Sequence, residues 1–541
     1  MDPSASGGMA LAGEPWQAVE TSGKARATSY DEVPYASYPF PQTHPSHLAV
    51  VATLFGLQPP PVQQCRVLEL GCAAGGNLLP LAEALPQGSF VGVDLSARQI
   101  ADGQRVLQAL GLTNVRLVHA SILDLNRSWG QFDYILCHGV YSWVPDQVRE
   151  KILDICAEQL SPQGVAYISY NTYPGWHMRG MIRDMMRYHA LRFATPGERI
   201  RQARALLDFL AQATRIDGGP YATLLRMELE YLRQQADYYL YHEHLEEVNE
   251  PVYFHEFIAA AQRHGLNYLG EAQITTMLSS NFPYEVQQAL QIIAPDQIQS
   301  EQYLDFIRNR MFRETLLVRG DVQPDWTVQP ERIYNLHVCT HRRVVDESGD
   351  VRSTTTVQYR SKSGMVVATS QPTLKAAFRI LGEHWPGTLP FADLVARVAE
   401  RVGQPPEQIR TPLAVQILHV YLSSDLMELH ALPLPRVNVT ERPQALRSLR
   451  VRLELGESGG ANRRHEVFRP DHFDSVLIPL LDGTRTKLEL LEELTRRVTR
   501  GLLLLPGETP PGSDLEKTRA RLAPLLEEAL QRLANASVLV A

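Results

Sequence analysis

The sequence predicts an α/β protein: a doubly wound, Rossmann-like sheet with a helical insertion, followed by a C-terminal α+β winged-helix-like region. Three observations carry that expectation. Short apolar runs alternate with helical stretches between residues 67 and 169, the first run leaves directly into a glycine-rich turn, and an arginine- and leucine-rich helical stretch then interrupts the alternation. Parallel strands need crossover connections, and helices on both faces of a sheet supply them.

Length and composition set the frame. At 541 residues the chain exceeds one compact core, and with 44% hydrophobic and 21% charged residues it is globular, neither low-complexity nor wholly disordered. A formal net charge of −8 argues against a broad nucleic-acid-binding surface. No apolar run approaches bilayer-spanning length, and the first residues lack the basic and apolar segments of a secretory signal. The expectation is a cytoplasmic protein with no membrane or nucleic-acid partner. Five cysteines, odd in number and without a CxxC pair, indicate neither a disulfide framework nor a cysteine-rich zinc site, and no metal is expected.

The elements follow in order. Residues 1–27 read as a Gly/Ala/Ser-rich disordered arm. From Tyr30 to Pro41 prolines alternate with aromatics, which suits an extended strap packed on something, and Thr43 is placed to cap a helix that carries Pro45 in its first turn and ends at Gly56. Strands are expected over 67–70, 90–93, 115–118, 132–136 and 165–169, with helices around 77–85, 97–110 and 146–159. The strap and these five strands make a domain spanning 28–178. Residues 179–250 form a helical insertion, broken at Asp217-Gly218-Gly219-Pro220. A helix over 254–264 and strands over 266–269 and 315–319 then return the chain to the sheet within 251–325. In the remainder, 326–541, a hairpin over 357–368 precedes helices near 373–381, 391–402 and 407–421, a winged-helix-like order. A second small unit is expected from the Asp482-Gly483-Thr484 turn, with helices at 487–499 and 515–534.

The densest chemical signal is Val67-Leu68-Glu69-Leu70-Gly71-Cys72-Ala73-Ala74-Gly75-Gly76-Asn77, a buried strand opening into a glycine turn at the carboxyl edge where open α/β sheets place ligands. A dinucleotide fingerprint would need G-x-G-x-x-G, yet the third place counted from Gly71 is Ala73. The E-x-G-x-x-x-G form fits Glu69, Gly71 and Gly75 instead. The second strand ends at Asp94, an acceptor-only carboxylate able to take hydrogen bonds from both hydroxyls of a ribose.

These residues resemble the first motif of class I S-adenosylmethionine-dependent methyltransferases. The resemblance implies S-adenosylmethionine as cofactor, held by Glu69, Gly71, Cys72, Gly75, Asp94 and Leu95, with Ser121 and Ile122 flanking the adenine. Ser121 stands where many members carry an acid, and Asp124 reads as a loop or capping residue. The resemblance further implies that Cys137 and His138, at the end of the fourth strand, face the transferred methyl group. Cys137 reads as an apolar filler rather than a nucleophile, whereas His138 either lines the site or is a satisfied structural histidine. Ser169-Tyr170-Asn171-Thr172-Tyr173-Pro174-Gly175-Trp176 offers a carbonyl acceptor and an aromatic wall, or alternatively a rigid turn between domains.

Longer stretches narrow the resemblance. Tyr30-Asp31-Glu32-Val33-Pro34-Tyr35, Thr43-His44-Pro45, His138-Gly139-Val140-Tyr141-Ser142-Trp143-Val144-Pro145, Tyr173-Pro174-Gly175-Trp176 and Asn249-Glu250-Pro251-Val252-Tyr253-Phe254 are similar to bacterial methyltransferases that carry a methyltransferase regulatory domain, among them lysine methyltransferases of outer-membrane proteins. The resemblance implies a cytoplasmic homodimer acting on a protein or peptide lysine. On that reading Tyr30 and Tyr35 of the strap close over the cofactor, Tyr141, Asn171 and Tyr170 position the acceptor, and Trp143, Tyr173 and Trp176 line its pocket. A small-molecule or natural-product methyltransferase, and a non-catalytic cofactor-binding interaction protein, remain as alternatives. His44 with His47 reads as capping and packing, and His242-Glu243-His244 as a solvated or interface face, in each case ahead of metal ligation.

Overall fold

The computed structural model describes residues 29–35, 37–215, 218–340, 343–344, 350–361, 363–504 and 515–541. The disordered arm expected at 1–27 lies outside the described residues.

The central sheet has seven strands: β1 (Arg66–Leu70), β2 (Ser89–Asp94), β3 (Val115–His119), β4 (Phe132–Cys137), β5 (Leu160–Asn171), β6 (Leu266–Glu271) and β7 (Phe312–Arg319). Their order is β3-β2-β1-β4-β5-β7-β6. The first five pair in parallel, and β7 runs antiparallel to both β5 and β6. The chain therefore leaves the sheet after β5 and returns at β6 and β7. Val67, Leu68 and Leu70 are buried, as expected of a central strand covered on both faces.

Between β5 and β6 the helices Gly175–Ala190, Pro196–Ala213 and Pro220–Arg233 lead through Asp237–Leu240 into a π-helical turn, Tyr241–Leu245. They bury a core of their own around Ile182, Met186, Leu207, Leu225 and Leu232. The segment joining β6 to β7 is pinned from below by Arg313, fully buried, which donates to Glu271 (2.8 Å), Asp305 (2.8 Å) and Glu301 (3.1 Å) and lies over the Phe254 ring.

Ahead of the sheet, Ser29–Glu32 is a short helix and the strap then runs extended to a 3-10 turn, Pro41–Thr43. The following helix is Pro45–Leu54, and its N-cap is His44, not Thr43: the His44 Nδ1 accepts the Ser46 N–H at 3.0 Å. Thr43 instead turns inward, donating to the Phe40 carbonyl.

The tail holds two units. The first has the expected order of a hairpin, Val357–Arg360 with Val366–Thr369, followed by helices Pro372–His384, Phe391–Val402 and Pro406–Ser423, and its apolar residues join the core of the sheet domain. The second has a separate core that begins at Ala445, well before the Asp482 turn. Its opening helix, Arg447–Glu454, is too polar to announce itself by periodicity, and a two-residue strand, Gly460–Ala461, follows it, paired with Val467–Phe468.

Candidate active site

The turn after β1 is built from left-handed backbone. Gly71 (φ 78°), Ala73 (φ 48°) and Gly75 (φ 70°) reverse the chain, and a Cβ on Gly71 would come within 2.4 Å of Val140. The turn is tied to β2 twice over. Gly71 and Cys72 donate their N–H groups to the Val93 carbonyl, and Ala73 donates to Asp94 Oδ2 at 2.8 Å. Asp94 Oδ1 accepts the Ser96 N–H, also at 2.8 Å, so each oxygen holds one backbone donor and keeps a lone pair for another. Burial pushes the Asp94 carboxyl up, against the pull of those two N–H groups.

Glu69 lies beneath the turn, buried. Its Oε1 accepts the Asn77 side-chain N–H at 2.9 Å, while its Oε2 is buried with no hydrogen-bond partner, an arrangement that costs free energy unless a ligand's donor meets it. Burial pushes this carboxyl up to about 8.

Both acids open into one cavity of about 700 Å³. Of the residues expected to hold the cofactor, Tyr30, Tyr35, Glu69, Gly71, Cys72, Asp94, Leu95, Ser121, Ile122 and His138 line it, and of those expected on the acceptor side, Trp143, Asn171 and Trp176 do. The strand order separates Asp94 on β2 from Asn171 on β5 by three strand spacings, about 14 Å, so the cavity spans from one to the other. At the strap end, Gln99 holds the Tyr35 carbonyl at 2.9 Å and Gly76 donates to Ser37 Oγ at 2.7 Å. Ser121 caps the next turn, where Asp124 completes a capping box, as expected of that acid. His138 does both things foreseen for it: it lines the cavity, and its Nδ1 pairs with Tyr167 Oη at 2.9 Å under the Phe40 ring.

Five expected residues do not line the cavity. Tyr170 alternates with Ser169 and Asn171 along β5 and so points to the opposite face, where it stacks on Phe257 and pairs with Thr315. Tyr141 packs into the same aromatic cluster, edge-on to Phe257. Tyr173 stacks outward on His177 at 4.0 Å. Cys137 is fully buried in the core, and Gly75 serves packing, since a Cβ there would press on Leu117 and Leu79. Neither tyrosine expected to orient the acceptor thus reaches the cavity, whereas Asn171 does, with its side-chain N–H held by Asn249 at 2.9 Å. That bond uses the amide N–H and leaves Asn171 Oδ1 as the side chain's acceptor.

The larger omission is the wall supplied by the insertion. Arg179, Tyr239, His242, Glu243 and Glu246 all line the cavity. His242, expected on a solvated or interface face, is buried, stacks on Tyr30 at 4.4 Å and holds the Val33 carbonyl at 2.7 Å; His244 is fully buried. The π-helical turn puts these neighbouring residues inside, a rotation that no α-helical period reveals. Burial pushes the Glu243 carboxyl up to about 7, partly opposed by Arg179. Among the described residues no group of His, Cys, Asp and Glu could hold a metal ion. Met311 and Phe312, at the start of β7, complete the lining and carried no sequence signal.

A sheet of this order with its seventh strand antiparallel, a glycine turn beside a carboxylate-terminated second strand, and a buried glutamate with one oxygen unpartnered define a class I methyltransferase. Comparisons with known proteins agree. Residues 67–164 match the methyltransferase domain family, 236–319 the "Predicted methyltransferase regulatory domain" family, and 441–538 the "PKMT, C-terminal winged helix domain" family. An uncharacterized Rickettsia prowazekii protein, RP789, is 36% identical over 94% of this chain and 93% of its own length, and a second from the same organism, RP028, is 45% identical over 44% of this chain and 96% of its own. The structure of PKMT2 from Rickettsia typhi, also solved in complex with AdoHcy, superposes with a TM-score of 0.84 at 29% identity, covering 94% of this chain and all of that one. The chain belongs to this PKMT family of S-adenosylmethionine-dependent methyltransferases, with a catalytic domain, a regulatory domain and a winged-helix tail.

Proposed function

We propose that the enzyme methylates the side-chain amine of a lysine in a protein. The observation that carries this reading is one cavity uniting the cofactor acids Glu69 and Asp94 with an aromatic and acidic wall of Trp143, Trp176, Tyr239, Glu243 and Glu246. The residues present suit the cofactor: Asp94 keeps one lone pair on each oxygen for the ribose hydroxyls, Glu69 Oε2 is a buried acceptor awaiting an ammonium donor, and Gly71 leaves room where a side chain would collide. When bound, S-adenosylmethionine supplies a methyl group already activated by its sulfonium. The protein's own work is then to bind, align and exclude water.

An arriving lysine is cationic. Glu243 and Glu246 attract it, the rings of Trp143 and Trp176, edge to face at 6.2 Å, enclose its stem, and the apolar surroundings favour the neutral amine. We assign the uptake of the departing proton to Glu243, whose carboxyl burial poises near neutrality, and the alignment of the amine to Asn171 Oδ1. A protein acceptor is further supported by the extent of chain given over to the regulatory and winged-helix domains and by the likeness to PKMT2.

Two copies of the chain are inferred to pair through the insertion, where Tyr188, Phe209 and Met227 are 74%, 63% and 64% exposed. Five free, buried thiols support a reducing, cytoplasmic setting. The experiment is a labelled-methyl assay on candidate proteins with the site of label mapped. Label on lysine supports the reading; label confined to a small-molecule fraction overturns it.

A further inference from the structure

The second unit of the tail reaches the floor of the cofactor site. Its short hairpin, Gly460–Ala461 with Val467–Phe468, carries a turn in which Asn462 Oδ1 accepts the N–H groups of both Arg464 and Glu466. The turn sets His465 in left-handed backbone (φ 60°), rare for a non-glycine residue and sustained only where the surroundings over-determine it. From there the imidazole enters the catalytic domain, buried, and its Nε2 meets Asn77 Oδ1 at 2.7 Å.

Asn77 is the residue that holds Glu69. Its amide has two ends with different duties: Oδ1 accepts the Phe40 N–H at 2.9 Å, and Nδ2 donates to Glu69 Oε1 at 2.9 Å and Thr43 Oγ1 at 3.0 Å. A flipped amide would turn a carbonyl oxygen toward the glutamate. The Phe40 N–H, which can only donate, opposes that flip, and against an oxygen so fixed His465 carries its proton on Nε2 and adds a second donor. Burial pushes the imidazole well down, so it stays neutral and acts as a single donor there.

We propose that His465 is a positioning residue for the amino-acid end of the cofactor: it locks the Asn77 amide so that Asn77 presents Glu69, making the winged-helix domain part of the cofactor site. Independent contacts hold the same interface in register. Glu83, on the helix Leu78–Ala84 that Asn77 precedes, accepts the backbone N–H groups of Arg447 (2.8 Å) and Ser448 (2.9 Å), capping the first helix of the tail unit across the domain boundary. Arg469, beside the same hairpin, lies over the ring of Tyr38, another cavity residue. The proposal rests on Glu69 facing the cofactor's ammonium.

The test is calorimetry on the full chain with two ligands, S-adenosylhomocysteine and 5′-methylthioadenosine, which lacks the amino-acid end. His465→Asn tolerates left-handed backbone but is too short to reach Asn77. It is expected to weaken S-adenosylhomocysteine binding about tenfold, the scale of one hydrogen bond, and to leave methylthioadenosine unchanged. His465→Gln, which can place a donor near the Nε2 position, restores most of the loss. Equal loss for both ligands, or no loss in a folded His465→Asn protein, overturns the proposal. Should that variant not fold, Asn77→Ala breaks the same chain from the other side and must show the same ligand-selective loss; a loss shared by both ligands overturns the proposal there too. Equal affinity of the wild type for both ligands instead removes the reading of Glu69 on which the proposal stands.

Discussion

Ala73 donates its backbone N–H to Asp94 Oδ2 at 2.8 Å from a left-handed conformation, so the turn after β1 and the acid ending β2 are one piece of structure. Asp94→Ala removes the acceptor for two backbone N–H groups together with the proposed ribose contact. S-adenosylhomocysteine affinity should fall at least about a hundredfold, since hydrogen bonds to a charged acceptor are the strong ones. Calorimetry on protein shown folded by circular dichroism checks this; affinity within a few-fold of wild type would move the ribose elsewhere.

Glu69 should make cofactor affinity pH-dependent. Its carboxyl is raised to about 8 in the cofactor-free protein, so below that pH it is protonated and must release a proton to pair with an ammonium group. The sign follows: S-adenosylhomocysteine affinity rises with pH, by up to about tenfold per unit, and flattens above about 8. Glu69→Gln should abolish the slope between pH 6 and 8. A slope that survives the substitution assigns the proton to another group.

On the acceptor side, Asn171→Ala and Glu243→Gln should each lower kcat/KM for methyl transfer by about ten- to a hundredfold while cofactor affinity changes little. Tyr170→Phe and Tyr173→Phe should leave turnover near wild type, because the first faces the core and the second stacks outward. Wild-type turnover by Glu243→Gln would return the proton to solvent.

The residues legible in the sequence were those whose role is local. Glu69, Gly71 and Asp94 sit on or just after consecutive strands of a sheet whose crossovers fix their neighbourhood, and their spacing together with the resemblance to the first methyltransferase motif identifies them. Tyr170 was misplaced because a run of aromatics at a strand end says nothing about which alternate residues face the cavity. Glu243 was hidden by a π-helical turn that breaks the period from which faces are read, and Asn77 and His465 are 388 positions apart, a contact no local pattern encodes. The second tail core, which begins near Ala445, was missed for want of an apolar stripe in Arg447–Glu454.

Arg313 sets the stability of the closing strands. Its guanidinium is fully buried among Glu271, Glu301 and Asp305 and is held well above its ordinary value by them, although burial opposes this. Arg313→Ala leaves three carboxylates without their shared partner and should cost about 3–5 kcal/mol, read as a lowered midpoint in urea. Loss of under about 1 kcal/mol would show that Arg310, 3.0 Å from Glu271, takes over.

The most direct measurement is to incubate the purified full chain, alongside its Asp94→Ala variant, with methyl-labelled S-adenosylmethionine and a bacterial protein extract, and to map the label by peptide mass spectrometry. The account predicts label on lysine side-chain amines, dependent on Asp94. Label in small molecules alone, or no transfer by a wild-type protein that binds the cofactor, would contradict it.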